Sequence, residues 1–91
     1  MNELFVFTDK YGALKYDEIF LYYDGPCIFS AKNKLGYRFI CLLESESPEL
    51  DRYIVVPVST ERYYAFVRNK WPIRRLFTMP EQGCVFAVTF G

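Results

Sequence analysis

Residues 52–80 read RYIVVPVSTERYYAFVRNKWPIRRLFTMP. Arg52 to Val58 are mostly β-branched and aromatic, the composition of a strand. Pro57 brings no backbone donor, so it belongs near a strand end or at an edge. The period then changes. Ser59 or Thr60 can cap a helix, because a side-chain oxygen there satisfies an unpaired amide of the first turn. Tyr63, Phe66 and Val67 recur at spacings of three and four, the helical signature. Asn69-Lys70 ends that helix, since Trp71 precedes Pro72 and is biased away from helical angles. Pro72 suits the first turn of a second short helix, with Ile73, Leu76 and Phe77 as its apolar stripe.

Working outward, the chain on both sides reads as strands. Upstream, Tyr37 to Leu43 and Cys27 to Ala31 are apolar runs flanking Asn33-Lys34-Leu35-Gly36. Asn and Gly tolerate the positive φ that hairpin turns require, so residues 27–32 and 37–43 should pair. Before them, Glu18 to Tyr23 is rich in β-formers and is stopped by Asp24-Gly25-Pro26. Leu4 to Thr8 is the first strand, followed by a turn at Asp9-Lys10-Tyr11-Gly12. Glu44 to Asp51 is a polar, exposed loop. Downstream, Met79 is again followed by proline, and Gly83 leads into a last strand, Cys84 to Phe90. An apolar terminus of this kind must be paired in a sheet or remain a sticky edge. Strands followed by helices imply an α+β domain. The expected fold is one domain, residues 1–91. It is an antiparallel β-sheet of about five to six strands, with one or two short helices inserted before the last strand.

The 91 residues include 11 basic and 11 acidic side chains and no histidine. Without histidine there is no Ser/His or Cys/His nucleophile pair, no imidazole base and no imidazole metal ligand. The five glycines, Gly12, Gly25, Gly36, Gly83 and Gly91, are isolated, so no phosphate-cradling loop is present. No spacing sets two carboxylates opposite one another, and Asp17, Glu18 and Asp24 read as solvated charges near strand ends. Cys27, Cys41 and Cys84 sit in apolar runs without a C-x-x-C, the pattern of reduced thiols packed as small hydrophobes. No cofactor, metal or catalytic residue is expected, and the protein reads as no enzyme. The start, MNELFVFTDK, is not a signal peptide, and no stretch approaches the length of a membrane span. A cytoplasmic location follows as the expectation.

Zero net charge argues against a duplex nucleic-acid binder. The charge is nevertheless polarised. Residues 44–51 carry Glu44, Glu46, Glu49 and Asp51 without a base. Residues 61–75 carry Arg62, Arg68, Lys70, Arg74 and Arg75 against Glu61. Eight tyrosines, nine phenylalanines and one tryptophan make the chain aromatic, and most of the phenylalanines read as core. Tyr22-Tyr23 and Tyr63-Tyr64 are adjacent pairs, so within each pair one ring should face away from the core. Tyr, Trp and Arg are the side chains enriched at binding hot spots. The candidate partner-binding residues are therefore Arg62, Tyr63, Tyr64, Arg68, Lys70, Trp71, Arg74 and Arg75. Trp71 has a second reading, as a plug between the two helices and the sheet.

The blocks YYDGPCIFSAKNKLGYRFICLLE (22–44), RYIVVPVSTERYYAF (52–66) and MPEQG (79–83) resemble a family of small bacterial and phage proteins, a domain of unknown function. The resemblance implies a fold class and such an origin, and it brings no active site. KWPIRR (70–75) departs from the more regular helical segment of those relatives.

The expected function is that of a non-enzymatic protein acting by binding another protein. By analogy of size and type it resembles inhibitors of host defence nucleases, such as anti-CRISPR proteins carried by phages and mobile elements. Two alternatives stand beside it. One is a single-stranded nucleic-acid-binding module, which an aromatic sheet near basic residues can form. The other is a self-associating accessory subunit, a homodimer pairing through the last strand or a component of a larger bacterial complex.

Overall fold

The structure, a computed structural model, describes residues 4–23, 25–81, 83 and 85–90. Six strands and two helices follow in the order β1 (Leu4–Thr8), β2 (Gly12–Tyr22), β3 (Pro26–Lys32), β4 (Arg38–Glu46), β5 (Asp51–Val58), α1 (Thr60–Val67), α2 (Ile73–Thr78) and β6 (Phe86–Phe90). All strands lie in one antiparallel sheet of order β1-β2-β3-β4-β5-β6. The architecture is mostly β, with the helices before the last strand. That strand adds beside β5 at the sheet edge.

Each hairpin follows from local chemistry. The β3–β4 pair has Phe29 opposite Cys41 and Ala31 opposite Phe39. Its turn is held by Asn33, whose Oδ1 accepts from the amides of Leu35 and Tyr37 at 3.1 and 2.9 Å. Gly36 closes it at φ +87°, a conformation a side chain would strain. The polar loop expected over 44–51 is shorter in the structure. β4 runs through Glu46 and β5 starts at Asp51, leaving a four-residue turn, 47–50. Ser47 clamps it by exchanging side-chain and backbone bonds with Leu50. β2 likewise starts earlier than the expected Glu18, at Gly12, because its irregular pairing hides the period of two. Pro57 pairs with Phe39 on one side, and β6 reaches only as far as Val55 on the other. The missing amide of Pro57 therefore breaks no ladder.

The sheet is not flat. Phe5 on β1 meets Tyr53 on β5 edge to face, with ring centroids 5.3 Å apart. In a flat sheet strands four places apart would be about 19 Å from each other. Tyr11, before β2, likewise stacks on Phe86 of β6 at 5.8 Å. Irregular register recurs between Leu4 and Val6, three times along β2, and between Leu43 and Ser45. Bulges of this kind bend a strand and sharpen its twist, and so curl the sheet toward closure.

Two cores result. The concave face gathers Phe5, Leu14, Phe29, Ala31, Phe39, Cys41, Tyr53 and Val55. The opposite face carries Ile40, Val56 and Val58 beneath Tyr63 and Leu76 of the helices. Strands β4 and β5 are buried on both faces, which explains their near-continuous apolar runs. Among the described residues no helix is long and apolar enough to cross a membrane.

Candidate protein-binding surface

The basic, aromatic segment is built on α1 and α2. Ser59 caps α1, its Oγ accepting from the Arg62 amide at 3.1 Å. The amide of Ser59 donates to Glu81 Oε1 at 2.8 Å, so a carboxylate 22 positions away completes the cap. α1 ends with Asn69 at φ +63°. Amides of Asn69 and Lys70 return to the carbonyls of Phe66 and Ala65 at 3.0 and 2.8 Å. These are the paired bonds of a Schellman turn, with asparagine in the left-handed position. The turn throws Trp71 back against the helices before Pro72 opens α2.

The eight expected contact residues separate into two groups. Arg62, Tyr63, Trp71 and Arg75 are committed to the helical layer. Tyr63 is only 3% exposed, and its hydroxyl donates to Glu18 Oε1 at 3.1 Å. Burial raises the affinity of that hydroxyl for its proton, so it acts as a donor. Arg62 donates to the Met79 carbonyl at 2.8 Å and faces Glu81 at 3.8 Å. The guanidinium groups of Arg62 and Arg75 lie 4.1 and 4.7 Å from the centre of the Trp71 ring. Trp71 is half-buried against the helix-side core, so it plugs the junction and stays partly open to solvent. Tyr64, Arg68, Lys70 and Arg74 form the outward group. Tyr64 is 43% exposed, with Arg38 and Arg68 each 5.8 Å from its ring centre. Arg68, Lys70 and Arg74 make no ion pair with a described residue. At the other tyrosine pair, Tyr22 and Tyr23 are both exposed, because the strand ends there and no core layer lies beneath.

The acidic residues lie at the far end of the sheet. Arg38 pairs with Val58 beside the start of α1, and Glu46 with Asp51 at the opposite end of the same strands. Glu44, Glu46 and Glu49 are exposed there, and among the described residues only Glu44 of these has a cation, Arg52 at 3.6 Å. The charge separation visible along the chain is thus a separation in space.

A second basic feature was not legible beforehand. Lys15 pairs with Lys32 across β2–β3, and Lys32 pairs with Arg38 across β3–β4. Three cations therefore stand in one cross-strand row. The extra residue of the bulge between Tyr16 and Glu18 is Asp17. Its carboxylate meets Lys32 at 3.5 Å, Arg38 at 3.2 Å and the buried Ser30 hydroxyl at 3.3 Å. Asp17 is therefore a half-buried partner of two cations, where a solvated charge was expected. Glu18 is exposed as expected, though it accepts from Tyr63. The signal that was present is the short turn after Lys32, which places Arg38 opposite it. The bulge had no signal.

Of the thiols, Cys41 is fully buried, and burial pushes it far above its ordinary pKa, which keeps it unreactive. Cys27 is half-buried, and Cys84 and Asp24 lie outside the described residues. Among the described residues no group of three metal-ligating side chains converges.

A family model matches residues 2–90, nearly the whole chain. The chain belongs to the family of unknown function DUF6575. No curated protein and no solved structure matches it. What the fold does must therefore be argued from its own surfaces.

Proposed function

We propose that the protein is a non-enzymatic binding protein whose α1–α2 face docks an acidic surface of another protein. The observation that carries this reading is the outward group of Arg68, Lys70 and Arg74 beside Tyr64 and a clamped Trp71, without acidic partners among the described residues. Uncompensated cations around a rigid aromatic anchor suit a hot spot with a charged rim. The acidic tip at the far end orients the encounter, since a partner of negative potential is drawn to one end and repelled from the other. Blocking of a defence nuclease, or another cytoplasmic target, is the form of this reading suggested by the chain's size and its lack of a catalytic motif.

The test is charge reversal at Lys70 and Arg74, compared with reversal at Glu46 and Glu49. Partners captured from the native host with the parent protein should be lost with K70E/R74E and retained with E46K/E49K. Equal capture by both variants, with unchanged melting temperatures, would overturn the assignment.

A further inference from the structure

The Lys15–Lys32 end of the cross-strand row borders an open groove of about 730 Å³, while its Arg38 end lies against Tyr64 of the contact group. Its lining includes Lys15, Lys32 and Lys34, Phe7 and, as the one carboxylate among the described residues, Asp17. Like charges directly opposite on neighbouring strands repel and weaken a sheet. Here Lys15 faces Lys32 and Lys32 faces Arg38, and Asp17 is shared between the last two. Lys15 and Lys34 have no ion pair with a described residue. Folding alone does not call for this arrangement, because any neutral β-former at Lys15 would pair better. A bound anion removes the repulsion.

The chemistry of the groove narrows the anion. Lysine binds phosphate as a compact point charge, and three lysines lining one groove favour a dianion over a single carboxylate. The volume lies within the range of small-molecule sites and exceeds what a lone phosphate fills. Phe7 is 69% exposed on the groove wall, an apolar ring open to stacking. We infer that the groove binds a phosphomonoester carried on a planar ring, the chemistry of a nucleoside monophosphate, with the phosphate against Lys15, Lys32 and Lys34 and the ring against Phe7. None of the groove's lining residues belongs to the proposed protein-docking face.

The experiment titrates the full chain with adenosine 5′-monophosphate by calorimetry, with inorganic phosphate and adenosine as separate probes. The nucleotide should bind saturably, phosphate more weakly, and adenosine weakest. K15Q and K34Q should each lower nucleotide affinity about tenfold. K15Q should also raise the melting temperature of the unliganded protein, because it removes a repulsive neighbour. A lysine that merely stabilised the fold would shift it the other way. K70E/R74E should leave nucleotide binding unchanged, which separates failure of this site from failure of the docking face. The inference is overturned if the nucleotide does not saturate at millimolar concentration. It is also overturned if K15Q lowers the melting temperature, or if a single-stranded oligonucleotide binds through these lysines while the mononucleotide does not.

Discussion

Replacing Asp17 by asparagine isolates the carboxylate that holds the cation row together. The substitution keeps the shape, and an amide oxygen can still accept from Ser30. What is lost is the charge facing Arg38 at 3.2 Å and Lys32 at 3.5 Å. At these separations each pair is worth about 5 kcal/mol of gross attraction at an effective dielectric near 20. Desolvation and side-chain ordering offset most of that. A charge-assisted hydrogen bond retains about 1.5–3 kcal/mol net. The Arg38 side chain is only 18% exposed, so its contact belongs in that range, whereas the more open Lys32 contact adds at most about 1 kcal/mol. D17N should therefore cost about 2–3 kcal/mol, a large part of the roughly 5–15 kcal/mol expected for a domain.

Urea unfolding monitored by tryptophan fluorescence and by circular dichroism measures the difference directly. Two controls bear on the cause. In 1 M salt the Debye length falls to about 3 Å, so the share of the difference from the open Lys32 contact should shrink, while the more buried Arg38 share persists. In a K15Q background the same substitution should cost less, because one member of the repelling row is already gone. A loss below about 0.5 kcal/mol, or one indifferent to both salt and K15Q, would refute the reasoning that Asp17 neutralises a row of like charges.

Other consequences follow from single contacts. S59A removes the side-chain acceptor for the Arg62 amide and should lower stability by about 1 kcal/mol, seen as a melting shift of roughly 4–8 °C. Y11F should leave stability unchanged or raise it, because the buried Tyr11 hydroxyl has no hydrogen-bond partner among the described residues. Tyr53 donates to the Pro26 carbonyl at 3.0 Å, and burial, with smaller contributions from nearby Tyr16 and Asp51, pushes its hydroxyl from 10.0 to about 12. The folded state thus holds this proton more tightly than the unfolded chain. The associated stability is complete below about pH 10 and is lost as the pH rises toward about 12. Alkaline unfolding of the parent should steepen across that window, and Y53F should flatten it.

The order of elements was legible because it rests on local chemistry. Alternation and β-branched content marked strands, spacings of three and four marked α1, and Ser59, Asn69 and Pro72 marked its start, its end and the entry to α2. The β3–β4 register was equally local, since a short turn with Asn33 and Gly36 leaves few ways to pair the flanking runs. The separation of acidic and basic segments could also be read along the chain.

The division of the contact segment could not. Arg62 in α1 and Arg68 at its C-cap are the same residue type six positions apart, yet one is tied to Met79, Glu81 and Trp71 while the other is exposed. That difference depends on where the chain returns after α2. The cation row was hidden for the same reason. Lys15, Lys32 and Arg38 are far apart in sequence, and only strand pairing brings them into line. Sequence by itself determined what each segment becomes, because propensity, capping and turn chemistry act over a few residues. Tertiary structure alone decided which charges meet. The bulge at Asp17 and the curl of the sheet arise from packing between strands, and no short stretch of sequence carries that information.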